Sequence, residues 1–332
     1  MPNDLVIFLI IAVALTFDFT NGFHDTANAI ATSVSTRALK PRTAVLLSAV
    51  LNLAGAFLTT KVATTVGKGI VVTEKVTLAL VGAALVGAIA WNLITWYWGL
   101  PSSSSHALIG GLIGAMVVAH GPDFVLTKGI IDKVVVPGLF SPLAGLVIGF
   151  FVMLALYWLF RAWAPGPLNR GFRGAQVLSA AYVSFTHGAN DAQKTMGVIT
   201  LALVASGHLH EFVVPTWVIV ASGLTIALGT YAGGWRIIRT LGQRIFRLQP
   251  VNGFAAQTTA ATILLVASLK GLPVSTTHTV SGSVMGVGAS RRLSAVRWGV
   301  AGNIVMAWVL TIPCAGAMAA LVYGLLYLAG AR

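Results

Sequence analysis

The chain has 332 residues, of which 57% are hydrophobic and only 9% charged; soluble domains carry about 25% charged residues, so a water-soluble globular protein is excluded. Continuous apolar runs such as Val76–Ala90 and Leu143–Phe160 exclude a β-barrel, whose strands alternate over short segments, and suit α-helices crossing a bilayer core of about 30 Å. The net charge of +13 reflects basic cytoplasmic loops rather than a nucleic-acid partner. The single cysteine, Cys314, rules out an internal disulfide and a paired-cysteine zinc site.

Taken in chain order, the N-terminus carries Asp4 and no Lys or Arg before its first apolar run. A cleaved signal peptide needs a basic start, so a mature helix is expected from about Leu5. That apolar segment runs to Phe17 and is expected to be interrupted around Asn21–Asp25, where Gly, Asn and Asp disfavour helix. It resumes to Ser35. Helices are predicted next over residues 43–60, 77–97, 104–119 and 138–160. A second series covers 176–189, 192–206, 213–235, 254–270, 277–289 and 298–328. The segments flanking Pro101–Ser105 and Pro273–Thr277 read either as re-entrant hairpins or as full spans.

Four motifs recur in the same order, about 170 residues apart. Phe19-Thr-Asn-Gly-Phe-His-Asp25 returns as Phe185-Thr-His-Gly-Ala-Asn-Asp191. Val66-Gly-Lys-Gly-Ile70 is echoed faintly by Leu241-Gly-Gln-Arg-Ile245. Gly99-Leu-Pro-Ser-Ser-Ser-Ser-His106 returns as Gly271-Leu-Pro-Val-Ser-Thr-Thr-His278. Ser141-Pro-Leu-Ala-Gly145 returns as Ile312-Pro-Cys-Ala-Gly316. The expected organisation is therefore an N-terminal transmembrane repeat over 1–165 and a C-terminal one over 175–332, together one transport unit. With the N-terminus outside and an odd number of crossings per repeat, the inside segments 37–42, 161–173, 236–247 and 291–297 hold thirteen basic residues and no acidic one. The outside segments hold Lys61, Lys68, Lys75, Lys128, Lys133 and Arg332 against Asp4, Glu74, Asp123, Asp132 and Glu211. This asymmetry predicts inverted repeats in a multi-pass cell-membrane (plasma or inner) protein with both termini extracytoplasmic.

Only three of the eight carboxylates, Asp18, Asp25 and Asp191, lie outside loops, and ionisable groups at membrane depth are costly and usually functional. Asp25 and Asp191 hold matching places in the two repeats. Asp18 is not duplicated, Ser184 standing there, and reads first as a packing residue. The second feature is a Pro, a hydroxyl cluster and a helix: Ser102–Ser105 in one repeat, Ser275, Thr276 and Thr277 in the other. Hydroxyls at a helix start cap it, yet the same geometry offers free backbone N–H groups and the positive helix end to an anion. Two such starts facing broken helices near the midplane make a recurrent transporter design. Motif histidines His24, His106, His187 and His278 read either as proton relays or as structural side chains. Lys270 either attracts the anion or snorkels.

The segments Asn21-Gly-Phe-His-Asp-Thr-Ala-Asn28, His187-Gly-Ala-Asn-Asp-Ala-Gln-Lys194 and Gly271-Leu-Pro-Val-Ser-Thr-Thr-His278 resemble the signatures of the PiT inorganic phosphate transporter family, over essentially the whole chain. The resemblance implies two inverted repeats, often paired as a homodimer, and no enzymatic activity. It implies phosphate held by Ser104, Ser105, Ser275, Thr276 and Thr277. It implies coupling through Asp25, Asn28, Asp191, Asn190 and Lys194, with a sodium site near Asp25, Asn21 and Asn28 in sodium-coupled relatives. Such relatives tend to carry Asn where this chain has Lys194. Divalent phosphate with two ionised aspartates would gather about four negative charges, untenable in a low dielectric without cations. A fixed ammonium at Lys194 fills the role of one bound sodium, and the expected function is proton-coupled phosphate import. No cofactor is expected beyond the co-transported proton or sodium. Sodium-coupled phosphate symport and sulfate transport are the near alternatives; a metal-ion carrier and an intramembrane aspartyl protease are the distant ones.

Overall fold

A computed structural model describes residues 2–330, so Arg332, counted above among the outside charges, lies beyond the described residues. The helices are α1 (Pro2–Ser35), α2 (Pro41–Ala56), α3 (Lys61–Lys68), α4 (Leu78–Trp98), α5 (Ser104–His120), α6 (Thr127–Ile130), α7 (Val136–Leu159), α8 (Pro165–Ala205), α9 (Thr216–Ala232), α10 (Trp235–Arg239), α11 (Pro250–Leu269), α12 (Thr276–Arg291) and α13 (Trp298–Leu328). A π turn over Ile131–Val135 joins α6 to α7, and another over Thr240–Arg244 prolongs α10. Among the described residues there is no β-strand, only one antiparallel bridge, Val71 to Val125. Among the described residues, five helical spans are long and apolar enough to cross a bilayer. The pairs α2/α3 and α9/α10 are bent by 73° and 62°.

The expected interruptions at Asn21–Asp25 and between 189 and 192 are not there: α1 and α8 run unbroken through both motifs. The glycines serve close approach instead. A Cβ on Gly22 would stand 2.6 Å from the Ile226 carbonyl of α9, and one on Gly188 would stand 2.1 Å from the Asn52 carbonyl of α2. The breaks fall one helix later, at the two bent pairs. The 41-residue α8 is the least apolar of the long helices. It accommodates that polarity by burial, since α1, α2, α3, α9 and α11 pack around it.

The pairings exchange between the halves. α1 packs on α9 and α8 on α2; α5 packs on α13 and α12 on α7. α4 with α5, and α11 with α12, form helical hairpins. Each hairpin turns through a glycine with positive φ, Gly99 at +66° and Gly271 at +69°, which ends the first helix in the left-handed conformation. Pro142 in α7 and Pro313 in α13 bend no further element apart. Their carbonyl neighbourhoods meet glycines of the facing helix, Gly282 against Pro142 and Gly110 against Ile312.

Two apolar clusters result. One gathers Ile7–Phe17 of α1, much of α3, α4 and α5, and Ala192–Leu203 of α8. The other gathers Ala27–Ala31 of α1, Val183 of α8, and much of α10, α11 and α12. Between them α1 is polar from Asp18 to Thr26 apart from Phe19, Gly22 and Phe23, and α8 from Ser184 to Asp191 apart from Phe185, Gly188 and Ala189. The site therefore lies in a polar layer between two dry cores. α1 runs from the first cluster to the second, and α8 from the second to the first.

Candidate functional site

The centre forms where α1 and α8 meet the starts of α5 and α12. Asp25 is 2% exposed, Asp191 0% and Lys194 1%, so the site is closed to both surfaces. Lys194 Nζ donates to Asp191 and Ser105, and to the Val274 carbonyl at 3.2 Å. An ammonium has three donors, and these contacts use all of them. The start of α12 serves both acids: Thr276 Oγ1 donates to Asp191 Oδ1 and Thr277 Oγ1 to Asp25 Oδ1, each at 3.2 Å. Asn28 Nδ2 donates to Thr277 Oγ1 at 2.8 Å.

Sequence separation hides these contacts, but the two repeats deliver them to one place. Asp25, Asn28, Asp191, Lys194, Ser105, Thr276 and Thr277 are all brought together. Ser104 Oγ is buried with no partner among the described residues. Ser275 Oγ caps α12, accepting from the His278 N–H at 3.2 Å, as Ser103 does for His106 in α5. Asn190 turns to the second hairpin, donating to Ser268 Oγ and the Leu272 carbonyl. Asn21 is buried, with neither amide atom hydrogen-bonded, and does not join the cluster.

Each acid has a histidine beside it. His24 Nδ1 lies 3.0 Å from Asp25 Oδ1, while its Nε2 faces Thr95 Oγ1 at 3.1 Å and Ser102 Oγ at 3.3 Å. His187 Nε2 lies 3.2 Å from Asp191 Oδ2, and its Nδ1 meets Asn52 Oδ1 at 2.9 Å. Ligand atoms of Asp25, His187 and Asp191 lie within 4.8 Å of one another, a set able to hold a cation. His106 and His278 pack edge to face at 4.8 Å, with His278 stacked on Trp308 at 4.0 Å. Lys270 is exposed at the end of α11.

Sequence reasoning missed seven supporting residues. Asn52 and Thr95 are among the few polar residues of two largely apolar helices, a signal that was present in the sequence. Gln193 Oε1 accepts from the Val62 N–H at 2.8 Å, capping α3. The hairpin turns are held by basic side chains that looked like loop charges. Lys61 Nζ donates to the Leu269 carbonyl at 3.1 Å and Arg236 to the Tyr97 carbonyl at 2.5 Å. Thr65 and Thr240 add bonds to the Gly271 and Gly99 carbonyls at 2.7 and 3.0 Å.

A closed polar centre between helix starts, in an all-helical protein with several apolar spans, is the layout of a membrane transporter. Residues 21–319 match the model of the phosphate transporter family. The chain is 50% identical to a probable low-affinity inorganic phosphate transporter of Mycobacterium tuberculosis strain H37Rv, over 99% of this chain and 80% of that one. It is 48% identical to one of Bacillus subtilis, over 96% of each chain. The solved structure of "the sodium-dependent phosphate transporter" is similar with a TM-score of 0.86 and 30% identity, covering 98% of this chain and 99% of that one. The chain belongs to the phosphate transporter family.

Proposed function

We propose that the chain imports inorganic phosphate across the cell membrane by symport, with protons as the coupling ion. Phosphate sits between the starts of α5 and α12, held by Ser104, Ser105, Ser275, Thr276, Thr277 and the free N–H groups behind them. The observation that carries the reading is Lys194, whose ammonium is paired with Asp191 and Ser105 at the centre. A fixed cation there replaces one recruited from solution. Asp25 has only neutral or histidine partners, so it takes a proton when phosphate arrives. Anion and proton each make the other's binding more favourable, which is the linkage a symporter needs.

Sodium coupling is the second reading. It is favoured by the convergence of Asp25, His187 and Asp191, with Asn28 one turn along, and by the name of the similar solved structure. The same reading of the molecule takes 1–165 and 175–332 as inverted repeats with both termini outside, working as a homodimer. The opposite passage of α1 and α8 through the two apolar clusters supports the inversion. Proteoliposome uptake of labelled phosphate, under separately imposed proton and sodium gradients, tests the coupling. Proton coupling predicts uptake that follows the proton gradient with choline in place of sodium; strict sodium dependence without a response to pH favours the second reading.

A further inference from the structure

We propose that Asp18 is a separate cation site, taking one positive charge, as a proton or a sodium ion, together with each phosphate. The inference deepens the symport reading and rests on it. Asp18 lies on the same face of α1 as Asp25, seven residues earlier, about 10 Å along the helix. It is completely buried, and its carboxylate makes no hydrogen bond of ordinary geometry. The Thr195 hydroxyl of α8 is the one side chain near enough to act as a donor to it, and it bonds to nothing else. Asn21, one turn on, has both amide atoms free as well. A buried acid with a hydroxyl beside it and a free amide one turn along the same helix supplies oxygen ligands suited to a hard monovalent cation.

Lys194 is the one cation whose field reaches Asp18, and it is already committed to Asp191. Of the charged groups on α8, Asp191 is of like sign and Lys194 has all three donors engaged elsewhere. α4 and α9, which also pack on α1, contain no Lys, Arg, His, Asp or Glu. On α1 itself His24 is turned to Asp25 and Thr95. An uncompensated charge in such a place is strongly unfavourable. The second repeat has no such demand, because Ser184 at the equivalent position donates to the Ala180 carbonyl at 2.7 Å. The two halves thus differ in a way that assigns Asp18 to cation handling and not to a symmetric scaffold.

Proteoliposomes containing unmodified protein, Asp18→Asn or Thr195→Val separate the outcomes. Labelled phosphate entry is measured beside proton entry, read by an internal pH dye, and beside labelled sodium entry. Asp18→Asn is expected to retain phosphate–phosphate exchange while moving one fewer cation per phosphate, and whichever ion loses that unit is the occupant. Thr195→Val is expected to raise severalfold the cation concentration needed for half-maximal uptake. An unchanged cation-to-phosphate ratio in Asp18→Asn, or loss of exchange in a folded Asp18→Asn protein, overturns the inference. Should Asp18→Asn fail to fold, unchanged cation dependence in Thr195→Val overturns it. Unmodified protein that moves neither ion with phosphate would remove the symport reading and this site together, an outcome distinct from a coupled protein indifferent to Asp18.

Discussion

Lys194 occupies the place that Asn28 holds in the other repeat, three residues after the acid, and the two side chains do different things. The ammonium is locked to Asp191, whereas the Asn28 amide reaches Thr277. Removing one partner of a buried ion pair costs about 3–5 kcal/mol. Lys194→Asn should therefore reduce phosphate uptake severely in choline medium, with partial recovery when sodium is added to fill the vacated position. Uptake that is low and equally low in both media would show that the lysine does not stand in for an ion. The hydroxyls make a second, milder test. Ser105→Ala and Thr276→Ala should each weaken phosphate binding by about 1–3 kcal/mol, roughly 5- to 150-fold in Kd, the worth of one hydrogen bond to a charged group. Equilibrium binding of labelled phosphate in detergent checks this, and unchanged affinity in both would leave them as caps alone. These residues were legible in the sequence because charge and hydroxyl clusters are rare in apolar runs. The partners of the flanking histidines, Asn52 beside His187 and Thr95 beside His24, were less so, since nothing in a lone sequence reports which distant polar residue faces which.

At the scale of elements, the motif glycines were read for their backbone freedom and turned out to serve close helix contact. A missing Cβ permits either a break or the approach of another backbone into the space a Cβ would fill, and only the packing partner decides between them. Gly188 against the Asn52 carbonyl and Gly22 against Ile226 resolve the ambiguity toward contact. The hairpins show the converse. Gly99 and Gly271 were noticed only as repeat markers, yet their positive φ ends α4 and α11 beside the site. The turns are then pinned from opposite halves, by Lys61 and Thr65 on one hairpin and Arg236 and Thr240 on the other. Arg236 also covers the Trp96 and Tyr97 rings at 5.3 and 4.8 Å. If these pins help to hold the centre closed, releasing one should expose the hairpin turn it holds. Lys61→Met should raise the reactivity of a cysteine at Leu272 toward an impermeant thiol reagent, and Arg236→Met that of a cysteine at Leu100, each from its own side of the membrane. Equal reactivity with and without the basic residue would show that these bonds do not govern access.

For the whole molecule, two separate observations favour the proposed inversion. α1 and α8 traverse the two apolar clusters in opposite senses. The segments proposed to lie inside are rich in arginine and those proposed to lie outside are of mixed charge, as an inverted arrangement would require. The repeat was visible in sequence because both halves retain their turn and hydroxyl motifs. The reciprocal pairing of α5 with α13 and α12 with α7 was not, because apolar helix faces carry no mark of which partner covers them. Orientation can be read directly. Cysteines at Glu74 and Glu211, both exposed on the side of Lys61, should react with a membrane-impermeant maleimide added to intact cells. Cysteines at Pro167 and Leu293, exposed on the side of Arg236, should react only after the membrane is opened. The cysteine background must be Cys314→Ala, since Cys314 is the sole native thiol and is partly accessible. A fully reversed labelling pattern would place the termini inside while keeping the two halves opposed. Labelling of Glu74 and Glu211 from different faces would overturn the proposed topology itself, because it requires an even number of crossings between them, with α7 and α8 each crossing once.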